Sequence, residues 1–156
     1  MIRDILLDDA VRKPSVHVDS KDISSLIQDM IDTCRDKEAY GLAASQIGVP
    51  HRLFISDYSE AVKSRRKIMV WLNPEIIETS EEIIQSPEAC LSLPEQHYMV
   101  PRYVWIKVRS QHDRGKKKGK LFETKVKGFL AAVIQHEMDH LEGTLIDVKG
   151  EKYDQV

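Results

Sequence analysis

Cysteine is scarce in this chain. Cys34 and Cys90 are the only two among 156 residues. Two thiols cannot make a disulfide scaffold. A single Cys34–Cys90 bridge can be drawn on paper, but an intracellular chain keeps both reduced. Long hydrophobic runs are missing as well: none approaches the ~20 residues of a spanning helix, and no membrane association is expected. The start, MIRDILLDDAVRK, has no apolar stretch followed by a small-residue cleavage site. Its early acids are foreign to a transit peptide, so a cytoplasmic location is expected. Neither sign of charge dominates. Lys and Arg number 23 against 25 Asp and Glu, a net charge of −2, which gives no global argument for a nucleic acid or a membrane surface. Internal repeats and low-complexity linkers are also missing.

What is present fits one globular domain over residues 1–156. The composition is 42% hydrophobic and 31% charged, and a chain of this length buries a sizeable core. Lys21 to Arg35 reads as a helix. Ile23, Leu26, Ile27, Met30, Ile31 and Cys34 recur at spacings of three and four, and Asp19 or Ser20 is placed to cap the start. Cys34 on that stripe reads as a small core residue. The segment 41-GLAASQIGVP-50, with two glycines and a closing proline, reads as loop or turn. Short strand-like runs follow at Leu53–Ser56, Lys67–Leu72, Glu75–Glu78 and Glu82–Ile84, with Asn73-Pro74 breaking the second from the third. Tyr103 to Arg109 alternates: Val104, Ile106 and Val108 face one way, Lys107 and Arg109 the other. The stretch 112-HDRGKKKGK-120 reads as a polar hairpin loop. Its lysines have no interleaved aromatics, so a solvated tip is expected rather than an RNA contact. A strand at Leu121–Thr124 follows. A second helix is expected from near Lys125 to Leu141, with Val126, Phe129, Leu130, Val133, Ile134 and Glu137 in helical spacing and Gly143 as its cap. Strands followed by a helix, without βαβ alternation, give α+β: antiparallel or mixed sheets around a central helix, with one further N-terminal helix.

That central helix carries 136-HEMDH-140. His136 and His140, at i and i+4, project one turn apart from one face. Both imidazoles can reach one cation at ~2.1 Å. Glu137 is placed to take a proton from water at that cation. A chance match would sit on a charged surface helix. Here FLAAVI precedes the motif, a poor place for two idle imidazoles. A third ligand is needed. The downstream pattern H-E-x-x-H-x-x-G-x-x-H fits through Gly143 but ends on Ile146, which cannot bind a metal. Only Glu142 and Glu151 follow. The best upstream candidate is Cys90 in 88-EACLSLP-94. A Cys/His/His set leaves a position for water and favours Fe(II) or Zn(II) over Mg(II).

Three motifs now stand in order: 41-GLAASQ-46, 88-EACLS-92 and 136-HEMDH-140. Together they resemble peptide deformylase, with further similarity in 94-PEQHYMVPRY-103 and ILLDDAVRKPSV. The resemblance covers nearly the whole chain. It implies a hydrolase that removes the N-formyl group from N-formylmethionyl nascent peptides and releases formate. Cys90, His136 and His140 would hold one divalent metal, Fe(II) foremost, with Zn(II), Ni(II) or Co(II) as substitutes. Glu137 would act as general base and then acid, while the Gln46 side chain and the Leu91 N–H would meet the oxyanion. Tyr40, Gly41, Leu42, Glu88, Ala89 and His97 would contact the peptide, and Phe129, Ala132 and Val133 would line the methionine pocket, unless they are plain core. The resemblance implies a monomer with transient ribosome proximity at most and no specific nucleic acid. Its C-terminal stretch GEKYDQV leaves little room for the further helix that some bacterial members use for docking.

The chain departs from the family at Ala39 and Ala89, where the motifs have glycine, and at His97, where arginine is common. A Cβ at either alanine is costly if the position needs φ > 0. Two other readings use the same residues: a metallopeptidase, and a metal-stabilised binding module without turnover.

Overall fold

The computed structural model describes residues 1–19, 21–57 and 68–154. Helix α1 spans Ser24–Asp36. Of the expected caps, Ser20 lies outside the described residues, and the helix begins too late for Asp19. The N-cap is Ile23, without a side-chain cap bond, and Asp22 just before it accepts the Ser24 N–H at 3.0 Å. Ile27, Met30 and Cys34 of α1 pack with Leu42, Leu53 and Ile55 in one apolar cluster. Neither cysteine is in a disulfide, and both are buried.

Residues 41–50 correct the loop expectation. Gly41–Ala43 forms strand β1, and a 3₁₀ turn covers Ala44–Ile47. Strand β1 pairs antiparallel with β2, Leu53–Asp57, in the register Gly41↔Ser56, Leu42↔Ile55 and Ala43↔Phe54. Cross-strand pairing outweighs a local composition that favours a turn. The next strand, β3, runs unbroken over Ile68–Thr79, where two strands were expected. Lys67, the expected start, lies outside the described residues. Asn73-Pro74 still leaves its mark: Asn73 has φ 49, and the register shifts between Leu72 and Glu75. A bulge absorbs the proline, which has no N–H for the ladder.

Strand β4, Ile83–Cys90, is longer than the expected Glu82–Ile84. It turns directly into β5, Leu93–Tyr103. Tyr103 thus ends β5, and β6 covers Trp105–Gln111. The polar hairpin then leads to β7, Leu121–Lys127. One sheet has the order β1-β2-β3-β6-β7. The other joins β4, β5 and the two-residue β8, Glu151–Lys152. All these strand pairs are antiparallel.

Helix α2, Gly128–Leu141, starts three residues later than its periodicity suggests, because Lys125–Lys127 belong to β7. Gly128, at φ 66, makes the change from strand to helix. The side of α2 that meets the five-stranded sheet is Ala131, Ile134, Met138 and Leu141, packed on Phe54, Trp71, Ile106 and Val108. Phe129 and Val133 are not on that side: Phe129 is 56% exposed. After α2 comes a single helical turn, α3, Ile146–Lys149. Among the described residues, no helix is long and apolar enough to cross a membrane. The architecture is the α+β arrangement expected, with α2 between the two sheets.

Candidate active site and metal centre

The two sheets deliver different parts of one site. Strand β4 ends on Cys90, and α2 presents His136 and His140. One ligand atom from each of the three lies within 4.8 Å of the others. Cys90 Sγ and His140 Nε2 are 3.4 Å apart. A soft thiolate with two imidazoles suits a first-row divalent ion and leaves room for a further ligand. His140 is 1% exposed, and its Nε2 is the ring nitrogen that faces Cys90. The donor set therefore fits a metal on geometry as well as on residue type.

His136 is oriented from behind. Its Nδ1 donates to Glu88 Oε1 at 2.9 Å, which leaves Nε2 for an ion. Glu88 also receives Arg102 through two bonds of 2.8 Å. Burial alone would raise Glu88, but the hydrogen bonds from Arg102 and His136 outweigh it and hold the carboxyl at about 2. Arg102, 2% exposed, also reaches Asp139 at 2.6 Å, and Lys149 reaches the other Asp139 oxygen at 2.6 Å. This buried charge is compensated, as low-dielectric surroundings require. For His136, burial favours the neutral ring, but hydrogen bonds to Cys90 and Glu88 overcome it and raise the imidazole to about 10. A cation bound there would take the place of that proton.

Glu137 is 4% exposed, and its Oε2 has no hydrogen-bond partner among the described residues. Burial is the main reason that its carboxyl rises to about 7. Gly41 lies against it. A Cβ at Gly41 would sit 2.8 Å from Glu137 Oε1 and 3.0 Å from its Cγ, so only glycine lets β1 pass this close. Gln46, 2% exposed, is held at both ends of its amide. Oε1 accepts the Ala43 N–H at 3.0 Å, and Nε2 donates to Ser92 Oγ at 3.2 Å, with Cys90 Sγ at 4.0 Å.

These groups border a cleft of about 600 Å³. Tyr40, Gly41, Gln46, Glu88, Ala89, Cys90, Leu91, Phe129, Ala132, Val133, His136 and Glu137 all line it, as do Lys37, Glu38, Ser86 and Glu95. Phe129 meets Tyr40 edge-on at 4.9 Å, so Phe129 belongs to the cleft and not to the core. Two candidate contact residues fall elsewhere. Leu42 is fully buried in the α1 cluster. His97 pairs with Ala89 across β4 and β5, but its ring lies against Tyr153, outside the cleft lining. Neither Ala39 nor Ala89 has positive φ, so the alanines that replace motif glycines carry no left-handed strain.

Sequence reasoning missed Arg102, Asp139 and Ser92. Arg102 could have been found by parity. Tyr98, Val100 and Arg102 alternate along β5, and all three are buried. An arginine on the inward face of a strand needs a buried carboxylate, and Glu88 supplies it.

Comparison with known proteins bears on this site directly. The polypeptide deformylase family model matches residues 4–153. A peptide deformylase of Tolumonas auensis is 41% identical over 140 residues, covering 88% of this chain and 79% of that one. The crystal structure of peptide deformylase from Thermotoga maritima superposes with a TM-score of 0.85 at 33% identity, covering 96% of this chain and 97% of that one. A class I type b peptide deformylase from Acinetobacter baumannii, crystallised with Met-Ala-Ser bound, gives 0.83 at 26% identity over 96% of this chain and 98% of that one. With the motifs, the fold and the Cys/His/His cluster in agreement, the chain belongs to the polypeptide deformylase family, metal-dependent enzymes that remove the N-formyl group from nascent peptides.

Proposed function

We propose that the formyl group is hydrolysed in the cleft beside Cys90, His136 and His140, with Glu137 moving the protons. The observation that carries this reading is a juxtaposition. Three ligand atoms lie within 4.8 Å of one another, next to a buried carboxylate with an unpartnered oxygen. Cys90, His136 and His140 would hold the ion, with Fe(II) as the native metal and Zn(II), Ni(II) or Co(II) as substitutes. When bound, such an ion would supply Lewis acidity and can lower the pKa of water from 15.7 to about 7.

The protein's own groups do the rest. Glu137, raised to about 7 by burial, is suited to take a proton from the attacking water and return it to the leaving amine. Amide hydrolysis passes through a tetrahedral oxyanion that needs fixed donors. The Gln46 Nε2 and the Leu91 N–H fill that role. The Gln46 amide is already oriented by Ala43 and Ser92, so little reorganisation is needed at the moment of reaction.

The substrate is an extended peptide that begins with formylmethionine. Its backbone runs beside Gly41 in the manner of an added strand. Phe129, Ala132 and Val133 form the side-chain pocket, with Tyr40 closing it against Phe129. The Acinetobacter structure that holds Met-Ala-Ser supports a seat for three residues. The test is formate release from formyl-Met-Ala-Ser by anaerobically prepared Fe(II) enzyme, with metal analysis of the same sample. Formate release far above that of Glu137→Gln is expected. Release no higher than that variant would refute the reading.

A further inference from the structure

The two oxyanion donors come from different sheets. Gln46 follows β1 of the five-stranded sheet, whereas Leu91 sits in the turn between β4 and β5 of the three-stranded sheet. Their separation therefore depends on how the two sheets are tied. The hydrogen bond from Gln46 Nε2 to Ser92 Oγ ties them on the site side. A second tie lies behind it. The Leu6 N–H donates to the Gln46 carbonyl at 2.8 Å, and two residues on, the Asp8 N–H donates to the Ser92 carbonyl at 3.0 Å. Three consecutive residues thus bridge both donor segments through backbone alone.

This clasp is held from outside. Asp8 has φ 45, a conformation that a non-glycine residue keeps only when its surroundings impose it. Arg12 imposes it. Its guanidinium donates to Asp8 Oδ1 at 2.8 and 3.1 Å, and to the two Asp147 oxygens at 3.0 and 2.7 Å. Asp147 is on α3, just past the end of α2. Gly143 gives the strap room to cross: a Cβ there would lie 2.6 Å from the Arg12 carbonyl oxygen. Leu6 and Val11 anchor the same segment in the apolar cluster that contains Cys90 and Leu93.

We infer that Leu6–Asp8, locked by Arg12 and Asp147, is a positioning clasp that sets the spacing between the oxyanion donors Gln46 and Leu91. None of these clasp residues lines the cleft, so they act through the donors and not on the peptide. The inference rests on the donor roles assigned above.

The test is a double-mutant cycle on the metal-loaded enzyme, with formyl-Met-Ala-Ser as substrate. Arg12→Ala is expected to lower kcat about tenfold, with KM and metal content unchanged, since small misplacements of catalytic groups cost rate steeply. In a Gln46→Ala background the same change is expected to cost less than about threefold, because the spacing it maintains no longer matters. Equal losses in the two backgrounds would overturn the inference, as would full kcat with a lowered Tm. If Arg12→Ala does not fold, Asp147→Asn carries the same cycle, since it leaves the Arg12–Asp8 bonds in place. Arg109→Ala, on the remote β6–β7 ion pair with Glu123, should match the wild type. A wild-type enzyme that releases no formate would defeat the functional reading itself. Wild-type turnover with additive losses would defeat the clasp alone.

Discussion

The two long helices bury side chains for different reasons. Helix α1 buries Ile27, Met30, Thr33 and Cys34 along one stripe. Its single buried hydroxyl is satisfied: Thr33 Oγ1 donates to the Asp29 carbonyl and accepts the Arg3 N–H. Helix α2 buries eight residues, and three of them, Gln135, Glu137 and His140, are polar. Gln135 is fully partnered, with Tyr103 N–H and carbonyl on its amide. Glu137 and His140 are not. Leaving such atoms bare costs free energy, about 1–3 kcal/mol for an unsatisfied group, and α1 carries no such cost. Glu137 borders the same cleft as Cys90 and His136. A packing helix satisfies its polar atoms internally, whereas α2 leaves the Glu137 Oε2 open to what binds.

The largest expected effect tests that contrast on α2. Glu137→Gln should lower kcat by about 10²–10⁴, the range for loss of a proton-transfer group. Metal stoichiometry should stay at the wild-type value, since Glu137 is not a proposed ligand. Stability should not fall, because a buried carboxylate becomes a neutral amide. Steady-state kinetics, metal analysis and thermal unfolding of one preparation check all three. A variant with substantial turnover would place the proton transfer elsewhere.

On α1 the effect should be confined to stability. Met30 is fully buried, and Met30→Ala should cost about 2–5 kcal/mol through lost burial and the cavity left behind. Denaturant unfolding measures it. The kcat per folded molecule should be unchanged, and a matching loss of kcat would erase the distinction between the helices.

The same contrast governs what could be read from the amino-acid order. Helix α1 was legible because a single stripe of apolar residues states its period. Helix α2 was legible in existence but not in orientation. Phe129 and Val133 share the periodicity of core residues yet face the cleft, and apolar spacing does not distinguish a pocket wall from a core. His136 and His140 could be paired from i, i+4 geometry, and Cys90 followed because the downstream candidates failed. Gln46 and Leu91 came only through resemblance to a family, since a glutamine and a backbone amide have no spacing rule. Strand β1 was hidden because Gly41 and Gly48 suggest a turn. The reason for Gly41 is instead the Glu137 side chain, from a helix almost a hundred residues away. Arg102 was hidden because its carboxylate partners come from β4 and α2, and such pairs exist only after the sheets and helix have met.

Between the two helices lies β1, and Gly41→Ala probes how closely it sets Glu137. The added Cβ would meet Oε1 at 2.8 Å and Cγ at 3.0 Å, so the buried side chain must shift. A fall in kcat of about tenfold is expected, with metal retained. A crystal structure of the variant should show the Glu137 carboxylate displaced. Wild-type kcat would mean that the carboxylate has more freedom than its packing implies.

The smallest expected effect on stability lies just past the end of α2 and involves no group that lines the cleft. A hydrogen bond from Arg12 holds the Asp147 carboxyl below its ordinary value of 3.8. A carboxyl lowered on folding binds fewer protons in the native state than in the unfolded one. Its stabilisation is therefore present above the ordinary carboxylate range and is lost as pH falls through the lowered value. Asp147→Asn should cost about 1 kcal/mol or less near neutrality, as for other partly exposed ion pairs. The gap between the variant and the wild type should close as the solution is acidified. Urea unfolding at a series of pH values checks it. A gap that persisted in acid would show that Asp147 stabilises through packing and not through the charge that locks the clasp.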